Sequence, residues 1–429
     1  MLLYGLTIFL SAFLLFEVQP IMAKIILPWF GGTSAVWSTC LMFFQSVLVL
    51  GYGYAHWVNT RFTPKRQAVV HTAIATVSLA ALPILPSAAW KSATIANPSL
   101  RILELLAATV GLPYFLLSST SPLLQAWHTR THRSGMPYRL FALSNAASLL
   151  ALLSYPFLIE PNLSSPWQAR WWSAAYVVFA VLCTGVAWGA ARFPLSPGKE
   201  ANTEVADATP PRLDRLLWIA LSASASILLL AVTTHLTQDV AAIPFLWILP
   251  LTAYLLTFIL CFEAPAIYRR PVFLPPFVLS LAFMAYRLWP SREVTDIAWL
   301  HFLTYMSTPA ILTCFVVALF VCCMVCHGEL VRLKPSPRRL TGFYVLVSIG
   351  GAMGGLFVGL IAPNLFRAYY EFPIGLGVCA VTAAVVLGRD VLQRSGPARA
   401  QGVAAVAAGL LLYSWGLGIV IHEIGRAHV

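Results

Sequence analysis

Charged residues are scarce in this chain of 429 residues. Asp, Glu, Lys and Arg make up 10% of it, whereas hydrophobic residues make up 59%. Soluble domains carry about 25% charged and roughly 45–50% apolar residues. The composition therefore excludes an ordinary soluble globular protein and indicates a membrane protein that crosses the bilayer several times. The net charge of +12 is then read as Lys and Arg in loops at the membrane surface, not as a binding site for nucleic acid.

The sequence also lacks the motifs that carry common chemistry. It has no nucleophile elbow, no phosphate-binding loop and no HExxH pattern, so we expect no catalytic residue, no cofactor and no metal in this chain. The glycine run that begins at Gly350 has no strand before it, and its spacing of four predicts a helix contact face. All eight Cys lie in apolar runs, which indicates no disulfide framework. Cys322, Cys323 and Cys326 lack the second paired set that a zinc site needs.

What the chain does contain is a series of apolar segments, which predict an all-α, polytopic transmembrane helix bundle. We identify thirteen, near residues 2–27, 33–57, 67–86, 101–125, 138–158, 169–191, 214–234, 243–262, 271–289, 298–326, 340–361, 372–388 and 400–421.

One long polar connection, 193–213, divides the chain, and its Pro-, Ala- and Thr-rich composition predicts a flexible linker. The expected domains are a first half of six helices, 1–192, and a second half of about seven, 214–421.

Connections after even-numbered segments hold 19 of the 27 Lys and Arg residues, against 7 after odd-numbered ones. The positive-inside rule then places the N-terminus and the linker in the cytoplasm.

A weak internal repeat joins the two halves. His128, Arg139, Ser144 and Pro161 have counterparts at similar spacing in the second half, namely His327, Arg339, Ser348 and Pro363. Six helices, a linker and a parallel second set predict the two-half arrangement of major facilitator transporters.

The polar residues of the first segment are the leading candidates for a functional site. Glu17, Gln19 and Lys24 lie within an apolar helix, with Pro20 between them. A charge inside a spanning helix needs a partner. Because Glu17 and Lys24 are about two turns apart on nearly the same face, we expect Glu17 to face the interior and to pair with Lys24 or with another helix. Lys24 has the alternative of reaching the membrane surface.

A second candidate set is His235, Gln238 and Asp239, expected where the seventh helix meets the eighth. Helices 1 and 7 hold related positions in a two-half transporter, so both sets would flank one pathway; the alternative is an inert outside loop. Asn145 is the best candidate among the hydroxyl- and amide-bearing residues of helices 4 and 5. The neighbouring Ser118, Ser119 and Thr120 are read as helix-packing groups.

Several separated stretches resemble one known family. They are FLLFEVQPIMAKIILPWFGGTSAVWSTC, SSTSPLLQAWHTRTH with PYRLFALSNAASLLALLSYPF, THLTQDVAAIPFLWILPLTAYLLTFILCFE, CHGELVRLKPSPRRLTGFYVLVSIGGAMGG and YYEFPIG. Together they resemble the membrane part of bacterial fused major-facilitator/spermidine-synthase-like proteins, over essentially all of residues 1–421.

The resemblance implies a bacterial inner-membrane module followed by a soluble spermidine-synthase-like domain, which would use decarboxylated S-adenosylmethionine and a diamine. No motif of that domain is present, so no catalytic residue is carried over. The final residues, EIGRAHV, read like a translated sequencing adapter, so 422–429 is expected to be a non-native tail with the soluble domain missing. Expected partners are the bilayer, that missing domain and a small cationic solute.

Three functions remain open at this point. The first is a non-catalytic, transporter-like membrane module. The second is a fragment of a membrane-bound aminopropyltransferase whose catalytic domain is truncated. The third is a scaffold that holds partners at the membrane.

The charge asymmetry generates a topological prediction. A single Cys introduced as Ala201→Cys into a Cys-free variant should be labelled by a membrane-impermeant thiol reagent only after the cells are opened. Labelling from outside intact cells would contradict a cytoplasmic linker. The control for outside access is Ser92→Cys in the same background, because Ser92 lies in an odd-side connection.

Overall fold

The chain is described here as a computed structural model. It describes residues 2–31, 34–91, 98–131, 137–193, 210–240, 244–288, 306–335, 339–366, 369–392, 413–414 and 418. Outside these residues lie most of the expected linker, most of the expected thirteenth helix and the whole of the expected tail.

The described residues form helices and no strand, in agreement with the all-α prediction. The helices are α1 (Leu2–Phe30), α2 (Ser34–Arg61), α3 (Pro64–Ser78), α4 (Pro98–Leu106), α5 (Leu112–Thr131), α6 (Pro137–Ser154), α7 (Ser165–Ala191), α8 (Arg212–Val240), α9 (Pro244–Glu263), α10 (Arg270–Arg287), α11 (Thr308–Arg332), α12 (Leu340–Leu356) and α13 (Glu371–Leu392). A π-helical segment, Ala107–Gly111, joins α4 and α5 into one continuous helix.

Each of the first twelve predicted segments overlaps one of these helices, but several boundaries differ. The third segment was expected to run to residue 86, whereas α3 ends at Ser78 and a short 3-10 turn ends at Ala81. Pro83 and Pro86 explain this end, because proline has no backbone N–H to continue a helix. Gly31, the one residue described between α1 and α2, has a φ of 85°, which glycine adopts without strain.

Nine helices in the described part of the chain are long and apolar enough to cross a membrane, which makes this a multi-pass membrane protein. They are Leu2–Phe30, Val36–Arg61, Pro98–His128, Leu143–Asn162, Ser165–Ala191, Arg212–Thr237, Thr308–Arg332, Gly342–Leu365 and Glu371–Leu392.

The chain divides into two compact units, each described here by itself. The first comprises Met1–Pro211 with Pro335–Ile349, and the second comprises Arg212–Lys334 with Gly350–Val429.

In the first unit α1 is the central helix. It contacts α2, α5, α6 and α7; α2 also packs on α5, and α3 packs on α5 and α7. The most apolar stretch of α1 is 72% buried, whereas that of α7 is 44% buried. The outer face of α7 carries exposed Trp167, Trp171 and Val181, as expected for a helix that faces lipid.

In the second unit α8 takes the central place, with 78% of its most apolar stretch buried. It contacts α9, α11 and α13, and it also contacts α12. α9 packs on α11, and α10 packs on α11 and α13.

Two helices end in the same irregular way. A π-helical segment, Tyr155–Ile159, follows α6 and leads into a last turn, Glu160–Asn162; a second one, Phe357–Ile361, follows α12 and leads into Ala362–Leu365. Both last turns contain Pro-Asn. The side-chain amide of Asn162 donates to the Leu158 carbonyl at 2.7 Å, and that of Asn364 donates to the Leu360 carbonyl at 2.7 Å. Each Asn side chain therefore bonds a carbonyl one turn earlier in its own helix.

The glycines of α12 form a helix contact face, as their spacing predicts. A Cβ placed on Gly350 would lie 2.3 Å from the Ile219 carbonyl oxygen of α8, and one on Gly354 would lie 2.8 Å from the Ala223 carbonyl oxygen. The Ser226 hydroxyl crosses the same contact and donates to the Gly351 carbonyl at 2.9 Å. Small residues allow the two backbones to approach this closely.

This contact predicts that Gly350→Ala destabilises the protein by roughly 1–3 kcal/mol, because rigid backbone would have to move. Gly388 on α13 is the matched control, since a Cβ there meets nothing within 4 Å. Gly388→Ala should be neutral or stabilising by roughly 0.5–1 kcal/mol. Thermal unfolding of both variants in detergent measures the difference, and equal midpoints would contradict the close α8–α12 contact.

Candidate functional site

The polar residues of α1 lie in the interior of the first unit. Glu17 is 4% exposed and Gln19 is 5% exposed. The Gln19 side-chain amide donates to the Leu15 carbonyl at 3.3 Å and lies 3.4 Å from the Tyr114 hydroxyl of α5. Gln19 is thus bonded across the unit, as a buried amide must be.

Glu17 has no such partner. Both of its carboxyl oxygens are buried, and neither has a hydrogen bond among the described residues. A buried carboxyl without a partner is rare, because its desolvation is not compensated.

The expected pairing of Glu17 with Lys24 is wrong. The Lys24 ammonium lies 3.1 Å from a carboxylate oxygen of Glu160, in the last turn after α6. Seven residues of helix span about 10 Å along the axis, so Glu17 and Lys24 share a face but not a contact. Glu160 lies in the helical turn that follows the π-helical segment Tyr155–Ile159, and this turn places its carboxylate beside Lys24.

The structure adds residues that the sequence analysis did not select. The Tyr155 hydroxyl lies 3.4 Å from both the Pro20 carbonyl of α1 and the Gln168 side-chain oxygen of α7. The Trp172 indole N–H donates to the Leu14 carbonyl at 2.9 Å. These side chains bind the α1 backbone on both sides of Glu17. In the sequence they are ordinary members of apolar segments, and no spacing distinguishes them.

Asn145 does not join this cluster. It is buried on α6, ten residues before Tyr155, which corresponds to about 15 Å along a helix. The hydroxyls of Ser118, Ser119 and Thr120 on α5 donate to carbonyls of their own helix at 2.8 Å, which agrees with a packing role.

The second predicted set belongs to the second unit and differs from expectation. α8 continues to Val240, so His235, Gln238 and Asp239 lie in its last turns and not in a junction between helices. The His235 ring packs against Phe315 of α11 and Phe372 of α13, with centroids 4.9 and 5.6 Å away. The side chains of Gln238 and Asp239 lie outside what the structure describes.

The buried thiols of the second unit pack together. The sulfurs of Cys326 and Cys379 are 3.8 Å apart, and the Cys261 thiol lies 3.7 Å from the Met324 sulfur. Within the described residues, no group of three or more His, Cys, Asp or Glu could hold a metal ion.

A charge cluster that the sequence analysis did not predict closes one end of the second unit. The Arg270 guanidinium donates to both carboxylate oxygens of Glu329, at 2.6 and 2.7 Å, and to Asp390 at 2.6 Å. The Tyr268 hydroxyl donates to Glu329 at 2.7 Å. The hydrogen bonds from Arg270 to Glu329 raise the pKa of the Arg270 guanidinium, which therefore stays charged. It ties α10, α11 and α13 together at their ends.

A scan of the chain against protein-family models finds no match, and a search of curated proteins finds none either.

The charge cluster predicts that Glu329→Gln costs about 3 kcal/mol or more, because it leaves the mostly buried Arg270 without its main partner. Glu104 is the matched control, since its side chain is 51% exposed and pairs with Arg101 one turn away. Glu104→Gln should cost less than about 1 kcal/mol. Unfolding of the two variants in detergent compares them, and similar losses would contradict a structural role for the cluster.

Proposed function

We propose that this chain is the transporter-like membrane module of a protein of the fused major-facilitator/spermidine-synthase-like kind, and that it moves a small cationic solute. The single observation that carries the proposal is that most packed helix pairs of the first unit recur in the second, the exception being that α5 packs on α6 whereas α11 hardly contacts α12. If α1, α2, α3, α5, α6 and α7 are matched in order with α8, α9, α10, α11, α12 and α13, every packed pair named above in the first unit has its counterpart in the second.

The matched helix ends support the same reading. α6 and α12 are the fifth of the matched helices, and α12 belongs to the second unit from Gly350 onward. Both lead into a π-helical segment followed by Pro-Asn, with the same Asn side-chain bond. Composition alone does not produce a shared packing pattern and a shared irregularity at the same place. Two related halves of six helices are the architecture of major facilitator transporters.

A polar interior supports a transport role over a purely structural one. In the first unit the central helix carries a buried carboxyl that has no hydrogen bond to any residue the structure describes, where a helix that only supports a bundle would carry an apolar residue. Ionisable residues at membrane depth mark substrate or ion pathways more often than packing sites. A carboxyl is also the group that would bind a cation.

The proposal is tested with the purified chain in proteoliposomes that are preloaded with unlabelled spermidine, using labelled spermidine outside. We expect saturable exchange above empty liposomes, lowered at least tenfold by Glu17→Gln and unchanged by Glu104→Gln, which removes an exposed carboxyl. Glu160→Gln should have a smaller effect than Glu17→Gln, because it removes only the partially exposed partner of Lys24.

Absence of exchange with spermidine and with putrescine would contradict the proposal and favour the scaffold. The same preparation serves to assay aminopropyl transfer from decarboxylated S-adenosylmethionine to putrescine. We expect no product above a no-protein control, because the residues described here form helices and no sheet that could hold that cofactor.

A further inference from the structure

Glu17 lies near the middle of α1, one of the helices that are long and apolar enough to cross a membrane. It is fifteen residues from the first residue of α1 and thirteen from the last, which places it about 20 Å from either end of the helix. Neither end of α1 can bring bulk water to it in this conformation, and its 4% exposure agrees with that depth.

Among the described residues, no ion pair involves the carboxyl of Glu17. On α1 itself, Lys24 is held by Glu160 at 3.1 Å. On α6, Tyr155 is the titratable group that interacts electrostatically with Glu17, and its hydroxyl lies at hydrogen-bond distance from Pro20 and Gln168 instead. On α5, Tyr114 is bonded to Gln19. In the described part of the chain, α2, α4 and α7 bring no charged side chain that acts on the carboxyl.

Glu17 is either ionised or protonated in this buried position, and the free energies of the two forms differ widely. An ionised carboxylate at this depth, without a hydrogen bond or counter-ion, costs several kcal/mol. A protonated carboxyl is neutral and avoids most of that cost. The geometry therefore requires a proton on Glu17 as long as the helices around it stay closed.

A missing backbone hydrogen bond in α1 allows the helix to bend beside Glu17. Pro20, three residues after Glu17, has no N–H to bond the Phe16 carbonyl, so the backbone hydrogen bonding of α1 is interrupted beside the carboxyl. The Tyr155 hydroxyl holds this segment of α1 through one long hydrogen bond, to the Pro20 carbonyl at 3.4 Å. Bending of α1 at Pro20 would break this weak bond and admit water to Glu17.

We propose that Glu17 carries an exchangeable proton, which leaves when α1 opens at Pro20 and returns when α1 closes. When α1 opens, the carboxyl O–H bond breaks, the proton passes to water and the carboxylate remains. When α1 closes, the carboxylate takes up a proton again. No electron is transferred, and no other reactant is needed.

The test is an infrared titration of the full chain in proteoliposomes, with no solute present. We expect a carbonyl stretching band of a protonated carboxyl that shifts in D₂O and disappears reversibly as pH rises. The band should be absent in Glu17→Gln and retained in Glu160→Gln and in Glu371→Gln, which removes another buried carboxyl. Glu17→Asp, which keeps a carboxyl, should move the band without removing it, so the assignment does not depend on one variant.

Each result decides the question. A spectrum in which wild type and Glu17→Gln do not differ would mean that Glu17 is ionised and would overturn the inference. A Glu17 band that responds neither to D₂O nor to pH would mean a fixed proton and would also overturn it. A reversible band supports the proton site even if the spermidine assay fails, which would count against the proposed function alone. Spermidine exchange without the band would count against the inference alone.

Discussion

A charge within an apolar helix has to be matched by another group of the protein, because lipid cannot solvate it. Lys24 meets this constraint through Glu160, and Arg270 meets it through Glu329 and Asp390. Both pairs join helices that are distant in sequence, so they also determine which helices are neighbours. The Glu17 carboxyl, in contrast, has no hydrogen bond to any described residue. The functional interpretation of the first unit depends on this difference between Glu17 and the paired charges.

Polar groups are tolerated inside these apolar bundles because they lie on or beside the central helices α1 and α8. Each is the most buried of the candidate spans in its unit, so its side chains meet protein and not lipid. Tyr155, Trp172 and Gln19 then bond backbone or side chains of neighbouring helices. In the second unit α8 instead packs its backbone closely against Gly350 and Gly354 of α12. Buried hydroxyls accompany this contact, and the Ser226 hydroxyl donates to the Gly351 carbonyl.

The order of the helices was predictable because hydropathy reports directly on burial in a bilayer. Their ends were less so: α5 runs to Thr131, beyond the expected residue 125, since its last turns contain polar residues that still favour a helix. The burial of Glu17 followed from its place in an apolar run. The partner of Lys24 did not, because it depends on how α6 packs against α1. Tyr155 was missed because an aromatic residue in an apolar segment carries no signal of its own.

The π-helical segment Tyr155–Ile159 has a consequence for the phase of the helix that follows it. Such a segment holds one residue more than the α-helix it interrupts, which rotates everything after it by about 100° around the axis. Glu160 therefore owes its direction, toward Lys24 and away from the lipid, to that single additional residue. Deletion of one residue within the segment would let it become ordinary α-helix and leave Glu160 facing Lys24, whereas α-helical geometry with every residue retained would turn the two charges apart.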